Sequence, residues 1–323
     1  MKSAIIGYGS IARTHAQIIK EIGSIVAICD VKFDPDTKTI PECPDATCYT
    51  DYKLMLDEVK PDIVHICTPH HLHAEMIIEA LGRDVNVLCE KPVCIKYEDI
   101  DRILDAEKKS KAKLGVCLQN RYNSVNRYIK EYLKDKKVTG GCGSVNWYRD
   151  KAYYDSEEWR GKKAFEGGGV LINQAIHTLD LLQWFCSMPE SVMANITNMS
   201  LKDVIEVEDT ANLFCYGDVD FNFFATIASP KSFPVEISLR ADGKWIKVTP
   251  NFAVIDKELV TFENCEKYFL KECYGNGHKA LISDFYNCVE KDIPFEIDGK
   301  EGTKALRIVL SAYESHGEKI KIK

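Results

Sequence analysis

The sequence predicts an α/β protein: a doubly wound parallel-sheet domain, then an α+β domain built on a large, mainly antiparallel open sheet. Three observations carry this. Short apolar runs alternate with amphipathic stretches over the first 120 residues. A glycine-rich turn joins the first apolar run to the first amphipathic one. Beyond residue 120 the alternation gives way to successive strand-like runs with turn signals between them. A chain of 323 residues suits about two domains, here 1–120 and 121–323.

In order, strands are expected at 3–6, 26–30, 63–67, 85–89 and 114–118. Helices fall between them at 11–22, 54–59 (stopped by Pro61), 74–81 and 97–110. Such short apolar strands, each followed by an amphipathic helix, imply a parallel sheet covered on both faces. Right-handed crossovers make it doubly wound. After "QNRYN" at 119–123 the pattern changes. A helix at 125–134 leads through Gly140, Gly141 and Gly143 into "SVNWYR". Glycines 167–169 open a helix over 170–185. From 191 to 256 strands run in sequence, with turn signals at Tyr216-Gly217-Asp218 and Ala241-Asp242-Gly243. Helices at 279–291 and 301–315 close the chain, with Phe285 and Tyr286 as core residues.

Composition excludes several function classes. The net charge is −7, so the basic face that nucleic acid requires is not expected. Anionic membrane surfaces are disfavoured for the same reason. No apolar run approaches the length of a membrane span. The start, "MKSAIIGYGSIARTH", is interrupted by glycines and polar groups too soon for an export signal, which points to the cytoplasm. The thirteen cysteines include no Cys-x-x-Cys pair. Cys29, Cys67, Cys89 and Cys117 fall at strand ends, where cysteine serves as a small apolar residue, and a disulfide framework is not expected.

"IIGYGSIARTH" sits where the first strand turns into the first helix. Gly7 permits a tight turn, Gly9 lets backbone approach a pyrophosphate, and Ala12 takes the small third position. Ser10 and Ile11 open the helix, whose N-terminus offers N–H groups and partial positive charge to a phosphate. Asp30, at the end of the second strand, is placed to bind ribose hydroxyls. That favours NAD, with NADP possible because Lys32 stands close by. "TPHHLHAE" follows the third strand, beyond the carboxyl ends where ligands bind. Thr68, Pro69, His70 and His73 form a polar wall toward the nicotinamide. Zinc is not expected at these histidines, which lack a partnering acid or cysteine at a usual spacing.

"VNVLCEKPVC" ends a buried strand on Glu90 and Lys91, with Pro92 restricting Lys91 to extended backbone. Glu90 is placed to orient Lys91 or the cofactor amide. On the 170–185 helix, Asn173, His177, Asp180 and Trp184 share a stripe apart from the apolar face of Ile172, Ala175, Ile176, Leu179 and Leu182. His177 suits proton transfer near neutral pH, and the three glycines would let backbone pass close to a ligand.

These segments, with the tail "YGNGHKALISDFY", resemble the Gfo/Idh/MocA family, the glucose–fructose oxidoreductase and inositol dehydrogenase group. The resemblance runs nearly end to end. It implies a Rossmann domain and an NAD(P)-dependent exchange between a secondary alcohol and a ketone on a sugar, cyclitol or sugar derivative. It implies that Lys91 lies beside the reacting hydroxyl, that His177 is the acid/base and that Lys91–Pro92 is cis. Asn173 stands where many members carry Asp, a variation in substrate class; it can orient a hydroxyl but not take a proton. Substrate contacts are expected from Arg121, Tyr122, Asn123, Tyr148, Arg149, Tyr153, Tyr154, Trp159 and Arg160, besides Asn173 and His177. The resemblance also implies homo-dimers or tetramers through the exposed sheet face. Two alternatives stay open: a glycosidase using transient oxidation by NAD, and a non-catalytic nucleotide-binding regulator.

Overall fold

A computed structural model describes residues 1–262 and 277–323. It divides into two compact units, residues 1–117 with 278–302, and 118–277 with 303–323. Residues 278–302, placed by sequence in the second domain, group with the first.

In chain order the first unit holds β1 (Lys2–Ile6), α1 (Ser10–Ile22), β2 (Ser24–Cys29), β3 (Thr47–Tyr49), α2 (Tyr52–Val59), β4 (Ile63–Ile66), α3 (His73–Leu81), β5 (Asn86–Cys89), α4 (Tyr97–Lys109) and β6 (Leu114–Val116). The six strands are parallel in the order β3-β2-β1-β4-β5-β6. This is the Rossmann order, whose direction reverses between β1 and β4. Ala4, Ile5, Ile28, Ile63, Val64, Val87 and Leu88 are fully buried at its centre, as a sheet covered on both faces demands. α1 turns Ala12, Ala16, Ile18 and Ile19 inward. α2 starts where the Asp51 carboxylate accepts from the N–H groups of Lys53 and Leu54, and stops at Lys60 in left-handed backbone just before Pro61.

The second unit holds α5 (Ser124–Leu133), β7 (Val138–Asn146), α6 (Lys151–Asp155), α7 (Lys163–Glu166), α8 (Ile176–Cys186), β8 (Ser191–Thr197), β9 (Thr210–Tyr216), β10 (Phe221–Thr226), β11 (Glu236–Ala241), β12 (Lys244–Val248), β13 (Phe252–Ile255) and β14 (Glu258–Thr261). After α9 (Gly277–Glu290) and α10 (Gly299–Gly302) return to the first unit, α11 (Lys304–Ser315) and β15 (Ile320–Lys321) complete the second. Nine strands run β14-β13-β12-β11-β7-β10-β9-β8-β15. Only β7 and β10 pair in parallel among them. The β11–β12 hairpin turns on Asp242 and Gly243, both at positive φ, the pair such a two-residue turn favours. α8 lies on β7 and α11 on β8. Alternation sends Phe223 and Ile246 inward and leaves Phe224 and Trp245 exposed on the other face.

The helix expected at 170–185 begins only at Ile176. Residues 167–175 form turns anchored to Glu208. The N–H groups of Gly169 and Leu171 donate to the Glu208 carboxylate at 2.8 and 3.0 Å, and that of Val170 to the Glu208 carbonyl. α8 itself is buried nearly all round, so the single apolar face expected there does not exist. Among the described residues the eleven cysteines are all free, and nine are buried. No described helix is long and apolar enough to cross a membrane. The first three residues of the tail motif, Tyr274, Gly275 and Asn276, lie outside the described residues.

Candidate active site

In the first unit the chain leaves β1 through Gly7 at φ +83, a conformation side chains rarely adopt. A Cβ there would lie 2.8 Å from Thr68 Cγ2. At Gly9, by contrast, a Cβ would meet nothing within 4 Å. Gly9 is also the N-cap of α1, and no side chain caps that helix. An uncapped, open helix N-terminus over a tight glycine turn fits a dinucleotide pyrophosphate. Ser10 and Ile11 form its first turn, with Ala12 buried beneath. Asp30 braces this loop. Its Oδ2 accepts from the Tyr8 N–H at 2.7 Å and its Oδ1 from the Lys32 N–H at 2.8 Å.

Thr68 and Pro69 lead from β4 into a 3₁₀ turn at His70–Leu72. His70 and His73 are buried. The rings of His73 reach two carbonyls, Pro92 from Nδ1 and Thr68 from Nε2, each at 2.7 Å. His73 thus ties the loop after β4 to the loop after β5. Burial pulls its pKa below the usual value, against the pull of those carbonyls. The Lys91–Pro92 peptide is cis.

Glu90 is 6 % exposed and stands in a cluster that sequence reasoning did not assemble. His15 Nε2 lies 3.0 Å from Glu90 Oε1, and His278 Nε2 lies 3.7 Å from the same oxygen. His15 Nδ1 faces His65 Nδ1 at 2.8 Å, His65 Nε2 faces the Tyr286 hydroxyl at 2.9 Å, and that hydroxyl meets Ser3 Oγ at 2.6 Å. Burial alone would raise the Glu90 pKa, but the bonds from His15 and His278 outweigh it and hold the carboxyl well below its usual range. Burial likewise opposes charge on His15, yet its neighbours Cys67, Cys117 and Glu90 raise it well above the usual value. Burial and the adjacent His15 charge push His65 well down, and burial lowers His278. These directions give one ion pair, His15 imidazolium with Glu90 carboxylate, flanked by two neutral histidines. His15 then donates from both nitrogens, His65 accepts at Nδ1 and donates from Nε2 to Tyr286, and Tyr286 donates to Ser3.

In the second unit Asn173 and His177 lie one turn apart, Asn173 in the turn and His177 in the first turn of α8, both buried. Asn173 Nδ2 donates to Glu166 Oε1, and Glu166 Oε2 accepts from the Gly161 N–H. The Asn173 carbonyl oxygen therefore points away from Glu166. Burial raises Glu166 to about 7, against the two donors. Gln174 Nε2 donates to the Tyr153 hydroxyl at 3.3 Å, and the Arg160 guanidinium stacks 4.2 Å from the Tyr153 ring centre. Arg149 lies 5.0 Å from the same ring, and Trp159 lies beside Arg160. Gln119 Nε2 stands 3.5 Å from His177 Nε2.

Tyr153, Trp159 and Arg160 are thus gathered beside the Asn173 turn. Arg121 is not available there. It is 0 % exposed and clamps Asp180 with two bonds, Nε to Oδ2 at 2.7 Å and Nη2 to Oδ1 at 2.6 Å. Asp180 and Arg121 form an internal brace, so Asp180 leaves the supposed catalytic stripe and Arg121 the supposed sugar wall. Tyr122 is stacked under Arg127 at 4.1 Å, and Tyr148 is exposed, its backbone bridged to Ala228 and bonded to Ser232 Oγ and the Arg149 guanidinium. The glycine triplet also serves packing. A Cβ at Gly168 would sit 2.0 Å from the Tyr313 hydroxyl, and at Gly169 1.9 Å from the Glu208 carbonyl oxygen. Glu166, Gln174 and Gln119 were missed by sequence reasoning. The only hint was Glu166 directly before the glycines.

Residues 1–118 match the oxidoreductase family with an NAD-binding Rossmann fold, and residues 136–238 match the GFO/IDH/MocA C-terminal domain, together well over half the chain. YteT of Bacillus subtilis is 33% identical over 173 residues, 52% of this chain but only 39% of that protein. A myo-inositol 2-dehydrogenase of Thermotoga maritima is 21% identical over 333 aligned positions, 100% of this chain and 98% of that protein. The WlbA dehydrogenase from Bordetella pertussis, solved with NADH and UDP-GlcNAcA, is 26% identical with a TM-score of 0.86, covering 100% of this chain and 98% of that one.

Proposed function

The chain belongs to the Gfo/Idh/MocA family of NAD-binding oxidoreductases, and from that premise we propose that it reversibly oxidises a secondary alcohol of a sugar, cyclitol or sugar derivative to the ketone. What supports this is that one chain carries an open glycine loop at the N-terminus of α1, a lysine directly after β5 (Lys91), and a buried amide and imidazole one turn apart before and at the start of α8 (Asn173 and His177). Bound NAD supplies the hydride acceptor. The loop at Gly7 and Gly9, the α1 N-terminus and Asp30 hold it, with Thr68, Pro69 and His70 beyond the strand ends. A carboxylate at Asp30 disfavours a 2′-phosphate and so favours NAD over NADP.

Removing hydride from carbon requires removing a proton from oxygen. His177 takes that proton and returns it in reduction. Lys91 stabilises the developing alkoxide by charge and hydrogen bonding. Asn173, with its nitrogen turned to Glu166, presents its carbonyl oxygen to a substrate hydroxyl and orients it. The substitution of Asn for the family's more usual Asp leaves His177 as the sole proton acceptor of the pair. Tyr153, Trp159 and Arg160 supply ring faces and a cation that suit a sugar and an anionic substituent. A homo-oligomer through the sheet face that exposes Phe224 and Trp245 belongs to the same proposal.

Nicotinamide fluorescence followed with NAD and NADP across cyclitols, free sugars, glycosides and nucleotide sugars tests it. We expect turnover with NAD on at least one class. Lys91→Met and His177→Ala should each lose roughly 10²- to 10⁴-fold in kcat while NADH binding persists. Near-normal turnover in both variants overturns the assignment.

A further inference from the structure

Two histidines of the quoted motifs have no part in that chemistry: His15, closing "GYGSIARTH", and His278, in "NGHKALISDFY". Both are buried, and both aim Nε2 at the same Glu90 oxygen. We propose that His15 and His278 are positioning residues which, by fixing the Glu90 carboxylate, set the place of the Lys91 ammonium; this rests on the dehydrogenase reading above.

The link to Lys91 is short. The second Glu90 oxygen, Oε2, accepts from the Lys91 backbone N–H at 3.3 Å. Glu90 itself leaves β5 by donating its N–H to the Ile66 carbonyl at 2.9 Å, so its backbone is fixed at the sheet end. On the other side Pro92 is held through its carbonyl by His73. Lys91 is therefore flanked by two residues that buried imidazoles hold in place. Its charge is near enough to depress both His73 and His278.

A carboxylate buried this deeply keeps its charge only with a matched partner. His15 provides it, and His15 is itself kept in one orientation by the run through His65 and Tyr286 to Ser3. This resembles the arrangement by which outer residues orient a functional group without touching the reactant. If His15 loses its bond, Glu90 either protonates or turns, and Lys91 moves with it. A displacement of about 1 Å at a reacting centre can cost about 10²-fold.

The test is a double-mutant cycle. His15→Leu cannot donate to Glu90, whereas His15→Gln keeps one N–H directed there. With His15→Leu we expect kcat to fall about 10²-fold with substrate KM and NADH affinity within about twofold. His15→Gln should recover most of it. In a Lys91→Met background, His15→Leu should change the residual rate by less than about twofold, because it acts through Lys91. Equal losses in both backgrounds, or unchanged kcat in a folded His15→Leu protein, overturn the inference. So does stoichiometric zinc in the purified protein, since a metal and not His15 would then hold Glu90. If His15→Leu does not fold, His278→Leu carries the same cycle. Loss of turnover in Lys91→Met with retention in His15→Leu sinks this inference alone; retention in Lys91→Met sinks the dehydrogenase reading.

Discussion

The two units bury their charges differently. In the first, Glu90 and His15 form an ion pair inside a longer hydrogen-bonded run, whose members come from the strands, a strand end and the helices α1 and α9. In the second, Glu166, Glu208 and the Arg121–Asp180 pair are buried separately around the turn before α8. Glu166 accepts from a backbone N–H and a side-chain amide, and burial outweighs these donors. The first arrangement holds a carboxylate ionised; the second leaves it close to neutrality. A parallel sheet thus supplies a fixed rim for charged groups, while an irregular turn must be secured one contact at a time.

The sharpest way to break this comparison uses the glycines. Gly169→Ala drives a Cβ into the Glu208 backbone at 1.9 Å, and neither side can yield. We expect a loss of about 5 kcal/mol in denaturant unfolding. Gly9→Ala, with open space around it, should change stability by less than about 0.5 kcal/mol. It should instead weaken NADH binding roughly tenfold, by crowding the pyrophosphate. A stable Gly169→Ala protein would show that the turn before α8 is not anchored as described.

Next is the buried brace. Arg121→Met leaves Asp180 unpaired and should cost about 3–5 kcal/mol. The double substitution Arg121→Met with Asp180→Leu should recover most of that loss, because a packed apolar pair replaces a buried ionic one. Unfolding midpoints of the three variants decide it; if the double variant is as unstable as the single, the brace does more than balance charge.

The smallest effect concerns Glu166. Its folded pKa of about 7 exceeds the ordinary 4.5, so the native state binds more protons than the unfolded chain between those values. Stability therefore falls as pH rises through that window. The total is at most about 3 kcal/mol. Glu166→Gln should be more stable than wild type at pH 8 and close to it at pH 4.5, measured as the difference in unfolding free energy between the two proteins. A difference independent of pH would mean that Glu166 stays ionised.

The Rossmann unit was legible because its elements are local. Strands at 63–66 and 86–89, the glycine turn and the E-K-P segment each follow from a few neighbouring residues, and the sheet order puts their ends together. The 170–185 helix was misread because its periodicity is genuine only from Ile176. The segment before it is instead a turn anchored by Glu208, some forty residues later. Arg121 looked like a sugar contact because an arginine beside tyrosines carries no sign of what it pairs with.

By itself, the sequence determined the α/β class, the dinucleotide loop and the family, since backbone propensity, turn chemistry and short motifs are written in adjacent residues. Tertiary structure alone decided which charges neutralise each other: that His15 and His278 hold Glu90, that Asp180 belongs to Arg121, and that Asn173 answers to Glu166. The physical reason is that desolvating a charge is costly wherever it sits in the chain, and the partner that offsets the cost is chosen by distance in space.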